Sequence, residues 1–150
     1  MIIVVIKDRL IRGFAAGVLG GGVMAFFDQA SVRLGISRLS YSQWAAVYTL
    51  GYLPSNFVEG MLGQIGHLMF AGFNGLLFAW IVPHKNQTVI KGVLWGLFIW
   101  FFANSVSVIF KTDLLVPKSV GTTMTDFVTA IVYGWVLAAA IKNLESRNAS

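Results

Sequence analysis

The chain has 150 residues, 57% hydrophobic and only 11% charged, with a mean hydropathy of +0.75; a soluble domain usually carries about 25% charged residues. One core of this size has no room for so much apolar surface, so lipid must cover part of the chain. The net charge of +5 fits membrane anchoring better than a nucleic-acid partner, because the basic residues flank apolar segments; the lack of cysteine excludes disulfides, thiolate metal sites and cysteine nucleophiles.

The opening run MIIVVI is too short to span a bilayer. Lys7, Arg9 and Arg12 then precede the apolar stretch Gly13–Phe27 in the manner of a signal peptide. No small-x-small cleavage site follows, and the stretch runs into Phe26, Phe27 and Asp28, so it reads as an uncleaved first span over 11–32. Gly13, Gly17 and Gly21 recur every fourth residue and form a groove on one helix face, with Gly20 and Gly22 beside it. Three consecutive glycines exceed what one packing face needs, and they leave room for another backbone, a lipid or a ligand.

The connection Arg33–Pro54 is 22 residues, long for two neighbouring helices. Ser40, Tyr41 and Ser42 offer caps for a short helix through Gln43–Leu50, and Pro54 ends it. Trp44, Tyr48 and Tyr52 are amphipathic aromatics that favour the headgroup level. The segment 40–53 is therefore predicted as an interfacial or re-entrant helix.

The second span is predicted over 56–82, with Glu59 near its start and the small-residue row Ala71, Gly75, Ala79. His67 lies about 12 Å deeper than Glu59 at 1.5 Å per residue. The third, over 91–110, contains the cleanest apolar run, Val93–Phe110, 18 residues without a formal charge. That is about the minimum for crossing a bilayer core. Gly92 and Gly96 open it, and Asn104, Ser105 and Ser107 lie further along. The fourth span, over 124–141, carries Asp126 with Thr125 and Thr129, then the row Ala130, Gly134, Ala138. The predicted fold is all-α: one polytopic membrane domain of four transmembrane helices, with an extra helix between the first two.

An internal repeat runs through these spans. Ile11-Arg12-Gly13-xxx-Gly17 matches Ile90-Lys91-Gly92-xxx-Gly96 at an offset of 79, and Ala71-xxx-Gly75-xxx-Ala79 matches Ala130-xxx-Gly134-xxx-Ala138 at an offset of 59. The extra connection in the first half accounts for the difference. Two helical hairpins of like topology, related by an axis along the membrane normal, are implied. In this alignment His67 and Asp126 are equivalent.

Seven Lys and Arg residues (Lys7, Arg9, Arg12, Lys85, Lys91, Lys142 and Arg147) fall on one side of the spans, and four (Arg33, Arg38, Lys111 and Lys118) on the other. The positive-inside rule then places both termini in the cytoplasm. The sequons Asn86–Thr88 and Asn148–Ser150 would lie inside, unused.

Ionisable groups within a bilayer are expensive and mark candidate sites. With this orientation Asp28, Glu59, His67, Asn104 and Asp126 share the outer half of the membrane, where four helices could aim them at one polar pocket. Each carboxylate also has a structural reading as a helix-end group in the headgroup zone, and Asp126 suits the positive end of its helix dipole. Bis-histidine ligation of haem would need two histidines at one depth. His84 lies about 25 Å beyond His67 along the same helix, so only a dimer or a partner could complete a pair on His67. No His and carboxylate spacing suits a metal. Gly20–Gly22 has no Gly-Lys-Ser/Thr after it and is no phosphate loop, and no nucleophile–base pair is present.

The pattern Arg12-Gly13, Ala16-Gly17, Gly21 and Asp28, then Trp44-Ala45, then Glu59, His67, Ala71-Gly72 and Gly75 resembles small bacterial inner-membrane proteins of the YqhR or YagU kind. The resemblance implies a four-helix membrane protein of the bacterial inner membrane and brings no activity with it. Three functions stay open. The leading one is a non-enzymatic assembly subunit of a homo-oligomer or larger membrane complex, favoured by the small chain, the small-residue faces and the absence of catalytic constellations. The second is a transporter or channel built on the polar pocket, and the third a redox anchor holding haem through His67.

Overall fold

The computed structural model describes residues 9–82, 86–116 and 118–146. The opening run, Lys7, His84, Lys85, Arg147 and the second sequon lie outside these residues. Five helices follow one another: α1 (Arg9–Arg33), α2 (Tyr41–Leu50), α3 (Phe57–Ile81), α4 (Thr88–Ile109) and α5 (Val120–Ser146). All but α2 are long and apolar enough to cross a membrane. The chain is an integral membrane protein.

The predicted boundaries shift at both ends of the fourth span, which starts at Val120 and not at 124, and runs on to Ser146. Its first turn is polar, and local bonds hold it. Ser119 Oγ accepts from the Thr122 amide, and Thr122 Oγ1 accepts from the Arg38 amide at 2.9 Å. The third span begins earlier than predicted, at Thr88. The short helix stops sooner than Pro54, at Gly51, whose backbone is left-handed (φ 84°) and whose N–H returns to the carbonyl of Val47. Glycine closes helices in this way because it lacks the Cβ that penalises positive φ. At the other end Ser40 caps α2, and Gln43 completes the capping box.

α1 and α3 run antiparallel, as do α4 and α5, and the matched rows form both interfaces. A Cβ on Gly13 would sit 2.5 Å from the Ala79 methyl and 2.6 Å from the Gly75 carbonyl, and one on Gly17 would strike the Ala71 carbonyl. A Cβ on Gly92 would sit 2.6 Å from the Ala138 methyl and strike the Gly134 carbonyl, and one on Gly96 would strike the Ala130 carbonyl. These are the same contacts under the offsets of 79 and 59. The two hairpins thus repeat each other, with α1 and α4 both running toward the α2 side of the bundle. Membrane helices need such close approach because lipid leaves little hydrophobic drive for their association.

α1 also packs along α5, which accounts for two glycines of the triplet. Gly20 faces the Tyr133 ring of α5 and Gly21 the Ala71 methyl of α3, while Gly22 faces open space. A helix wedged between two neighbours needs small residues on two faces. The equivalent seam between α3 and α4 is barely closed. At the end away from α2 it is bridged by Phe78 and Trp95, whose ring centroids lie 5.9 Å apart. At the other end α2 holds it open. Ala45, Ala46 and Val47 of α2 are buried, and α2 lies on α3 where Gly63 and Gly66 leave it room. Tyr48 on the same helix bonds Ser107 of α4 at 2.9 Å.

Candidate functional site

The open seam encloses a chamber between α3 and α4, with α2 as its roof and α5 as its back wall. Below it Phe78, Leu137 and Ile141 close the bundle, all but inaccessible to solvent. A water-sized sphere has about 50 Å³ in which to move inside the chamber. One water needs roughly 10–15 Å³ on this scale, so the chamber holds a few waters or a solute of a few atoms.

His67, Asn104 and Asp126 line the chamber, and Asp28 and Glu59 do not. His67 is buried in the wall. Its ring stacks on Tyr41, with centroids 5.1 Å apart, and its Nε2 lies 3.3 Å from the Gly21 carbonyl. A carbonyl only accepts, so Nε2 carries the hydrogen. That nitrogen is committed and one ring face is covered, which gives a haem iron no approach through Nε2. Asn104 donates from Nδ2 to the Trp100 carbonyl one turn back, at 2.7 Å. Asp126 accepts from Lys118 Nζ at 2.6 Å, with the two side chains 5% and 13% exposed. This is a nearly buried ion pair, and burial of either partner alone would be prohibitive.

Asp28 lies behind the chamber wall, 1% exposed. Its Oδ2 accepts from the Tyr41 amide at 2.7 Å, so α1 holds the first turn of α2 through a carboxylate at the helix N-terminus. Its Oδ1 has no hydrogen-bond partner among the described residues. Glu59 stands at the exposed start of α3 and does local work. It accepts from the Ser55 amide at 2.7 Å and the Ser55 hydroxyl at 3.0 Å, while its own amide donates to Asn56 Oδ1 at 3.0 Å.

Several chamber residues escaped the sequence reading. Tyr41 comes from α2, and its hydroxyl lies 3.1 Å from both the Asp126 carbonyl and Thr129 Oγ1. Burial pushes this phenol well above its usual pKa, helped by the nearby Asp126 carboxylate, so the group stays a donor. Lys118 arrives from the loop before α5, where the sequence shows only a flanking charge. Tyr133 donates to the Ala71 carbonyl at 2.7 Å. Asn74 is its equivalent at the offset of 59, and both line the chamber; extending the repeat alignment past the small residues would have found this pair. Trp44, predicted at the headgroup level, lines the chamber, whereas Tyr48 and Tyr52 are about half exposed.

Two further hollows adjoin the chamber. One, lined by Leu39, Ser40 and Thr122, shares Tyr41, Trp44, Lys118 and Asp126 with it. The other shares Trp44, Phe70 and Ala103 and opens beside Phe102, on the flank where lipid would lie. Lys118 and Asp126 therefore stand between the chamber and the first of these hollows. Among the described residues no three His, Cys, Asp or Glu side chains gather as a metal site. Comparison with family models, curated proteins and solved structures finds no match.

Proposed function

We propose that the protein binds a small polar or charged solute in the inter-hairpin chamber and carries it across the bilayer, without chemical conversion. The observation that supports this most is the convergence of Asp126, Lys118 and His67 on one small chamber within the spans, with Asp28 just behind. Intramembrane ionisable groups are costly, and substrate or ion pathways are their usual reason. The chamber is closed below by Phe78 and Leu137, so passage requires a second conformation and not a standing pore. The barely closed α3–α4 seam is the place where the hairpins are free to move apart.

The assembly-subunit reading rests on the small-residue rows. Each row is filled by its partner row inside the chain, so none of them is left to face a second subunit. By the charge count we place both termini in the cytoplasm, and by the YqhR/YagU resemblance we place the chain in a bacterial inner membrane. The test is ion flux into vesicles containing the purified protein, with protons, sodium, potassium and ammonium as probes. Flux of at least one above protein-free vesicles is expected, falling at least tenfold with Asp126→Asn. Absence of flux for all four, from protein shown to be folded, would overturn the transport reading.

A further inference from the structure

We propose that the chamber's solute is a small ammonium-type cation, which binds Asp126 in place of Lys118; this rests on the solute-site reading above. Lys118 already puts an ammonium group on the Asp126 carboxylate at 2.6 Å. It does so from the loop before α5, on a flexible four-carbon stem, between the chamber and the adjoining hollow. A tethered ammonium in that place is an internal occupant that a free ammonium could replace like for like.

Charge balance points the same way. Asp28 and Asp126 are both buried, at 1% and 4% exposure, and Lys118 is within electrostatic reach of both. His67, facing them from α3, gives its Nε2 hydrogen to a carbonyl. Arg33 and Arg38, at the same end of the bundle, are exposed. Among the described residues one nearly buried ammonium thus faces two buried carboxyl groups, and Asp28 Oδ1 has no hydrogen-bond partner. A cation entering beside Asp126 would bring a second positive charge to a site where one ammonium faces two buried carboxyl groups.

The walls select the class of cation. Tyr41, Trp44, Trp100 and Tyr133 surround the space, and aromatic faces attract ammonium groups, more strongly once water is removed. A hard metal cation wants a shell of six or more oxygens, whereas most of the residues that line this chamber are apolar or aromatic. Room for only a few waters suits ammonium or methylammonium better than bulky tetraalkyl ions.

The experiment is equilibrium binding of labelled methylammonium to the purified full-length protein in detergent, at ionic strength fixed with sodium chloride. Wild type should bind saturably. Lys118→Met should lower the half-saturating concentration at least tenfold, because the tethered competitor acts at a high effective concentration. Asp126→Asn should abolish binding, and tetraethylammonium should not compete. A folded Lys118→Met variant that binds no better than wild type, or binding indifferent to Asp126→Asn, would overturn the proposal. Should Lys118→Met fail to fold, wild type decides: methylammonium must raise its melting temperature above equal sodium chloride, and no rise overturns the proposal. Asp126-dependent flux of sodium or protons without methylammonium binding would refute the ammonium site and leave the solute-site reading standing. Methylammonium binding without flux of any ion would support the site and refute transport.

Discussion

Gly13 and Gly17 rest on the backbone of Gly75 and Ala71, and Gly92 and Gly96 rest in the same way on Gly134 and Ala130. The seams that join these two hairpins differ: α1 lies along α5, while α3 and α4 meet mainly through Phe78 and Trp95. Matched hairpins with unmatched seams separate two requirements. Backbone contact at the small-residue rows holds each hairpin together. The open seam, roofed by α2, gives the ionisable groups a place to converge. A bundle closed on all four seams would have no chamber, and one open on both would lose the wall that carries Tyr133 and Asp126.

The largest effect should come from the rows. Gly75→Val places a Cβ against the Gly13 carbonyl and 2.8 Å from the Gly17 amide nitrogen, and Gly134→Val places one against the Gly92 carbonyl and 2.9 Å from the Val93 Cα. Neither backbone can yield as a side chain would. Each variant should lose about 3 kcal/mol or more, at or beyond the upper end of overpacking costs, and the two losses should be alike. Thermal unfolding in detergent compares them directly; a mild Gly134→Val beside a severe Gly75→Val would break the equivalence of the hairpins.

Phe78→Ala tests the bridge of the open seam. Phe78 is fully buried, and removing such a ring usually costs about 3–5 kcal/mol. Because it also closes the chamber floor, the variant should make proteoliposomes leak small ions, which Leu19→Ala on the exposed face of α1 should not. A stable, tight Phe78→Ala protein would show that the seam is held elsewhere.

Tyr41→Phe is a smaller change with a pH signature. Burial raises the phenol pKa in the folded state, so the folded protein keeps a proton that the unfolded chain releases above about pH 10. The stability due to this group is full below that pH and is lost as pH rises toward the folded pKa. Melting temperatures of wild type should fall more steeply above pH 10 than those of Tyr41→Phe. Parallel curves would mean that the hydroxyl is not enclosed.

The rows were legible because a four-residue spacing of small side chains is local information that a helix converts into one face. The His67–Asp126 equivalence followed from the same alignment. Lys118 and Tyr41 were not legible as chamber residues, since each reaches the chamber from a non-spanning segment whose path is set by tertiary contacts. Glu59 did carry a readable signal: Asn56 precedes it by three residues, the N-cap-to-N3 spacing, and in the structure the carboxylate serves that helix start. The spans' lengths were limited by reading hydropathy alone, which ends a helix where polarity begins. In α5 the turn at 120–123, rich in polar residues, is still helical, because Thr122 finds partners in the loop before α2.

The glycine triplet gives the finest test of the two-neighbour account of α1. Gly21→Ala would bring a methyl to 2.5 Å from that of Ala71, whereas a Cβ on Gly22 meets nothing within 4 Å. Alanine is the better helix former by about 0.8–1.0 kcal/mol, so Gly22→Ala should raise the melting temperature slightly. Gly21→Ala should lower it, since the crowded methyl outweighs the helix gain. If Gly22→Ala instead destabilises the protein in its native membrane but not in detergent, the outward face of α1 is in contact with something the isolated chain lacks, and α1 has a third neighbour.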